Sequence, residues 1–130
     1  MPGRDEAVSG GWGEAVAARW AEAQGMIVLA RNHCCRMGEV DLVLRDGGTL
    51  VFAEVKTRRS ARWGSGLEAV SPRKRLRVVL AAQDWLWKSR IPPDAWPCRF
   101  DVVDVRPGSR GGGPFVRWVR DAYTLDGLLD

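Results

Sequence analysis

The sequence predicts an α/β domain, a mixed β-sheet flanked by helices, and three observations lead there. Two apolar runs, Val40 to Leu44 and Thr49 to Thr57, are joined by Arg45-Asp46-Gly47-Gly48. Asp-Gly or Gly-Gly between such runs is a strong hairpin signal. Ser71-Pro72 then supplies an N-cap and a proline at the first helical position. A further apolar run, Phe100 to Val105, follows that helix. It is expected beside Thr49–Thr57 and parallel to it, through a right-handed helical crossover.

The elements follow in order. Residues 1–10 read as a disordered N-terminal segment, and 11–130 as one domain without repeat or linker. From Gly11 to Gln24 the spacing is helical, with Val16, Trp20 and Ala23 on one side and Gly25 placed to end the helix. Met26 to Ala30 reads as the first strand, and the hairpin strands come next. After them runs a basic, glycine-bearing loop, RRSARWGSG. The helix opened by Ser71-Pro72 extends to about Lys88, with Val78, Val79, Ala82, Trp85 and Leu86 on its buried face. PPDAWP breaks it. The last strands are Phe100 to Val105 and Phe115 to Val119.

A chain of 130 residues, 45% of them hydrophobic, suits a single core. No apolar run approaches the roughly 20 residues that cross a bilayer. The N-terminal MPGRDEAVSGG carries acids and lacks an apolar signal region, which places the protein in the cytoplasm by default. Cys34, Cys35 and Cys98 are too few for a disulfide framework. Adjacent cysteines beside His33 do not have zinc-knuckle spacing, so reduced thiols are expected.

Net charge is +4, and it is unevenly spread. Between Lys56 and Arg77 stand eight basic residues, Lys56, Arg58, Arg59, Arg62, Arg73, Lys74, Arg75 and Arg77, against the single acid Glu68. One basic stripe on an otherwise slightly acidic domain suits a polyanion-binding face, or an ordinary solvated surface. Four of these cations crowd the start of the second helix, where the dipole disfavours them. An external phosphate bound there would explain the placement. Trp63 in the basic loop could stack on an exposed base or lie buried beneath the loop. The remaining tryptophans read as core.

Side chains alternate along a strand. Glu54 and Lys56 therefore share a face with Leu50 and Phe52, while Val51, Ala53 and Val55 take the other. In the partner strand Glu39 and Asp41 share a face with Val43, and a turn at Asp46–Thr49 sets Asp41 across from Glu54. Two carboxylates and an ammonium would then converge. Magnesium is typically held by one or two carboxylates with waters and phosphate oxygens. Such an ion lowers the pKa of bound water and neutralises a phosphodiester, and a lysine beside it can steady developing charge. The alternative is a buried Glu54–Lys56 ion pair with Asp41 capping a strand end. Glu14, near the start of the first helix, either reaches the same site or is a surface acid favoured by the dipole.

An ordered series of residues resembles the bacterial YraN-like family. It comprises Gly13-Glu14, Gly38-Glu39-Val40-Asp41-Leu42, Leu50 through Arg58, Ala69-Val70 with Lys74, Arg99 through Val103, Trp118 and Asp121-Ala122-Tyr123. That family is similar to the restriction-endonuclease-like PD-(D/E)xK nucleases and close in layout to archaeal Holliday-junction resolvases. The resemblance implies a restriction-endonuclease-like mixed sheet with Asp41, Glu54 and Lys56 as the catalytic triad. It also implies Glu14 as an added metal-site acid beside Asp41 and Glu54, with Lys74 nearby. Val40 stands where the superfamily often has proline. The resulting expectation is a Mg2+- or Mn2+-dependent endonuclease cleaving DNA, branched or flapped forms included. The alternative is a non-catalytic nucleic-acid-binding module on the same fold. A third reading is an interaction protein with a structural charge cluster. Arg58, Arg59, Arg62, Trp63, Arg73, Lys74, Arg75 and Arg77 are the expected nucleic-acid contacts. No membrane partner is expected, and a resolvase role would require a homodimer.

Overall fold

The computed structural model describes residues 10–58, 71–92, 94–108 and 111–124. The expected disordered segment lies outside them, except for Gly10, which opens the first helix. Arg59, Arg62 and Trp63 also lie outside the described residues. The order of elements is α1 (Gly10–Ala23), β1 (Ile27–Cys35), β2 (Gly38–Asp46), β3 (Thr49–Thr57), α2 (Pro72–Lys88), β4 (Cys98–Arg106) and β5 (Phe115–Tyr123). The strands form one five-stranded mixed sheet in the order β1-β2-β3-β4-β5. All neighbours are antiparallel except β3 and β4, which run parallel across the α2 crossover. This is the α/β architecture that the sequence predicts.

The helices lie against opposite faces of the sheet. Beneath α2 the core is Val40, Val43, Leu50, Phe52, Phe100 and Val102 with Val78, Val79, Ala82 and Leu86 of the helix. Beneath α1 it is Leu42, Leu44, Val51, Ala53, Val103 and Val105 with Ala17, Ala18 and Ala21. The α2 helix forms as its sequence dictates. Ser71 Oγ accepts the Lys74 N–H at 3.2 Å, Pro72 follows it, and the helix ends at Lys88. β3 has the predicted bounds, with Asp46 paired to Thr49 across the two glycines.

The α1 face is a correction. Ala17, Ala18 and Ala21 are fully buried, Ala23 is exposed, and Val16 and Trp20 only flank the contact. Small residues win that position because the helix sits very close to the sheet. A Cβ on Gly13 would collide with Thr57 Oγ1. With roughly 0.8 kcal/mol per buried methylene, an alanine stripe holds a helix weakly. Trp20 adds to it by stacking on Trp118 at 5.1 Å.

The other strands outrun their apolar runs. β1 continues through Arg31-Asn32-His33-Cys34-Cys35, because an edge strand needs partners on one side only. β4 and β5 likewise extend to Arg106 and Tyr123. Trp87 departs from the expected core role, being 83% exposed.

Candidate active site

The charged residues gather where β2 and β3 part. Their ladder begins at Leu42↔Ala53 and runs toward the turn, while β2 beyond Leu42 pairs with β1 only. At the parting, Asp41 takes over the role of a backbone acceptor: its Oδ2 accepts the Val55 N–H at 2.7 Å. Val40 and Val43 both pack beneath α2, so the alternation of faces slips between them. Glu39, Asp41 and Val43 therefore do not share a regular face, contrary to the simple alternation. Asn32, paired with neither Leu42 nor Val40 but lying between their partners, has φ 52°. Asparagine tolerates that left-handed conformation better than most residues.

The strand face of Glu54 and Lys56 is as predicted, beneath α2. Lys56 Nζ lies 3.2 Å from Glu54 Oε1, and Lys74 Nζ from the start of α2 lies 3.5 Å from the same oxygen. The second oxygen, Glu54 Oε2, is buried and has no hydrogen-bond partner among the described residues. Glu14 approaches from α1, held close by Gly13, and is itself buried. Together Glu14, Asn32, Glu39, Asp41, Glu54 and Lys56 line a cavity of about 300 Å³, with Lys74 at its rim.

Electrostatically the cavity is crowded with acids. Burial above all, with the carboxylates of Glu14, Glu54 and Glu39, pushes Asp41 up to about 7 against the pull of the Val55 N–H. Burial also raises Glu14, although a hydrogen bond to Asn32 opposes it. Lys56 moves the other way: burial loosens its proton, and the nearby Lys74 adds to that, while Glu54 resists. Lys74 holds its proton more firmly, chiefly through its hydrogen bond to Lys56.

Among the described residues no three His, Cys, Asp or Glu side chains are grouped to cage a metal unaided. A hydrated hard cation needs less, since magnesium uses one or two carboxylates and keeps several waters. The donor set fits such an ion. It offers an orphaned buried oxygen on Glu54 and an aspartate whose ionisation is held back by burial and by its acidic neighbours.

The basic residues divide. Arg73 and Arg77 are exposed on α2. Arg75 instead lies over the Tyr123 ring at 5.1 Å, and Arg58 lies 3.5 Å from Asp104 Oδ1. His33 Nε2 is 2.8 Å from Asp84 Oδ2 on α2, and the cysteines are free thiols. Gly38 lies against α2, and a Cβ there would strike the Arg77 backbone carbonyl. A glycine beside the acids in Gly38-Glu39, as in Gly13-Glu14, was the available signal of close approach.

The family described as "Uncharacterised protein family UPF0102" matches residues 13–105. A UPF0102 protein of Xanthomonas campestris pv. campestris is 47% identical over 113 residues, covering 87% of this chain and 88% of that protein. One from Symbiobacterium thermophilum is 48% identical over 99 residues, 76% of this chain and 82% of its own. One from Nitrosococcus oceani is 37% identical over 113 residues, 87% and 89% of the two chains. The chain belongs to the UPF0102 family, the YraN-like family that its sequence resembles.

Proposed function

Starting from that membership, we propose that the protein is a divalent-metal-dependent endonuclease of the PD-(D/E)xK type that hydrolyses phosphodiester bonds in DNA. The observation that carries the reading is the convergence of Asp41, Glu54 and Lys56 on one cavity, with a buried Glu54 oxygen lacking a partner. A buried unpaired carboxylate oxygen is costly unless a ligand completes it.

Asp41 and Glu54 would hold Mg2+ or Mn2+, with Glu14 as a further acid. The ion would supply a Lewis acid that activates water and offsets phosphate charge. In the hydrolysis a water oxygen bonds to phosphorus, one P–O ester bond breaks, and the released sugar oxygen takes a proton. Lys56 would hold the attacking water or steady charge building on the phosphate. The Val55 N–H fixes the Asp41 carboxylate, and Gly13 lets Glu14 come near. Arg73 and Arg77 would meet flanking phosphates.

The alternative, a non-catalytic nucleic-acid-binding module, draws on the Lys56–Glu54 ion pair, which can be purely structural. One experiment separates the two. The purified protein is incubated with magnesium or manganese on linear, single-stranded, flap and four-way DNA, beside Asp41→Ala. Metal-dependent cutting by the parent and none by the variant is expected. Binding of these DNAs with no cutting under either metal would overturn the endonuclease reading in favour of the module.

A further inference from the structure

The far end of α2 carries a surface that the proposed chemistry does not use. Trp87 is 83% exposed, the most open large hydrophobic side chain among the described residues. Beside it is a hollow of about 540 Å³ lined by Trp87, Lys88, Arg90, Ile91 and Pro92. The turn that shapes it is well fixed. Arg90 N–H donates to the Trp87 carbonyl at 3.1 Å and Ile91 N–H to that of Leu86 at 2.9 Å. Arg90 itself has φ 59°, at a helix end where glycine is the default residue. An arginine is kept in a backbone conformation that opposes it.

Charge indicates what the surface meets. From Ser71 to Pro92 the cations are Arg73, Lys74, Arg75, Arg77, Lys88 and Arg90, and the only acid is Asp84. That acid is engaged with His33 at 2.8 Å and Lys88 at 3.0 Å. An aromatic face beside a guanidinium, on an apolar floor, is how proteins grip an unpaired base and its phosphate. An acidic protein surface would match the charge but would not need a hollow beside the ring.

We infer that an unpaired nucleotide of the DNA substrate stacks on Trp87 in this hollow, with its phosphate facing Arg90. The inference rests on the endonuclease reading and names its substrate class. The preferred substrate is thus a duplex with a single-stranded tail or branch.

The test reads binding without cleavage, so its failure is separate from failure of the nuclease reading. Fluorescence anisotropy with a chelator present compares a blunt duplex with the same duplex bearing a three-nucleotide tail. The parent should prefer the tailed form, and Trp87→Ala should cut that preference about tenfold, as expected when one base stack is removed. Trp87→Phe should keep most of it. Arg90→Gly removes the charge while relieving the backbone, so it should melt no earlier than the parent. It should also lower the salt slope for tailed DNA by roughly 0.7. A parent without tail preference, or a preference intact in both Trp87→Ala and Arg90→Gly, would overturn the proposal. So would a parent dimer that Trp87→Ala dissolves, because the ring would then belong to an interface between copies.

Discussion

Asp101 and Asp41 are both aspartates set into the sheet, and they live in opposite circumstances. Asp101 is fully buried. It accepts from Arg99 Nε at 3.2 Å, from Trp118 Nε1 at 2.8 Å and from the Asp121 N–H at 2.8 Å. Arg99 in turn reaches Asp46 at 2.9 Å. Every acidic charge there meets a donor or a cation. Around Asp41, by contrast, the carboxylates of Glu14, Glu54 and Glu39 add to burial in opposing its ionisation. In the first cluster both oxygens of Asp101 are matched, although Arg99 Nη2 is buried without a hydrogen-bond partner among the described residues, and the cluster ties β4, β5 and the hairpin end together. The second is incomplete, with two amines directed at one Glu54 oxygen and the other oxygen left over. Burial alone does not separate Asp101 from Glu54; the partners of their carboxylate oxygens do.

Mutations should expose that difference, beginning with the largest effect. Asp101→Ala leaves the half-buried Arg99 guanidinium with Asp46 alone and takes the acceptor from the Trp118 indole and the Asp121 N–H, and should destabilise the domain by about 3 kcal/mol. Thermal melting would show a fall of more than 10 °C at the several degrees per kcal/mol expected for this size. A shift of only a degree or two would break the contrast, because Asp101 would then be as dispensable as an active-site acid. Lys56→Ala is the counterpart in the open cluster. It should slow cleavage on the order of 10²-fold while moving the melting temperature far less than Asp101→Ala. Early melting with no parent cleavage to lose would instead place Lys56 in a structural pair.

A subtler effect concerns pH in metal-free protein. Asp41 titrates near 7 when folded and near its ordinary 3.8 when unfolded. The folded chain therefore holds the extra proton between those values, and stability falls as pH rises through that window. Asp41→Asn keeps an acceptor for the Val55 N–H without the charge. It should stabilise the metal-free domain above pH 7 by at most about 4 kcal/mol and be nearly neutral at pH 4. Denaturant titrations at the two pH values would check this, and equal effects at both would mean that neither burial nor repulsion opposes the Asp41 charge. Smallest of all is the response of Arg73 and Arg77. Neutralising both should weaken DNA binding alike for all sequences and lower the salt slope by roughly 0.9 for each phosphate that no longer meets a guanidinium. An unchanged slope would leave them as solvated surface.

Much of this organisation is legible in the residues, and the exceptions have physical causes. The bounds of β3 can be read because Gly47-Gly48 fixes the turn and large apolar residues mark both faces. Glu54 and Lys56 follow by alternation alone. Asp41 is placed in the right neighbourhood, but its level with Val43 is not that of simple alternation, which assumes an unbroken ladder. There a side chain has replaced the backbone acceptor. The α1 stripe is misread for another reason: periodicity weighs large side chains, whereas a helix lying this near a sheet must present alanine and glycine. Trp87 is misread because a tryptophan at helical spacing is usually core, and nothing local in Trp87-Lys88-Ser89 marks it as open. The partition of the arginines depends on Tyr123 and Asp104, which are distant in sequence and cannot be foreseen from the basic run.

The strand order carries a kinetic consequence. Three of the four pairings join strands that are consecutive in the chain with no helix between them. Only the parallel β3–β4 pairing must wait for the whole α2 crossover to fold back. Closing that long loop has the largest entropy cost, so contacts that depend on it tend to form late. Glu54 and Lys56 lie on β3, opposite Val102 and Asp104, and would lose their water only at that step. The charge-desolvation penalty would then fall after the folding transition state. Substituting Lys56 should accordingly leave refolding rates nearly unchanged and register in unfolding rates instead. Stopped-flow refolding of the variant, slowed as much as its stability changes, would contradict that order of assembly.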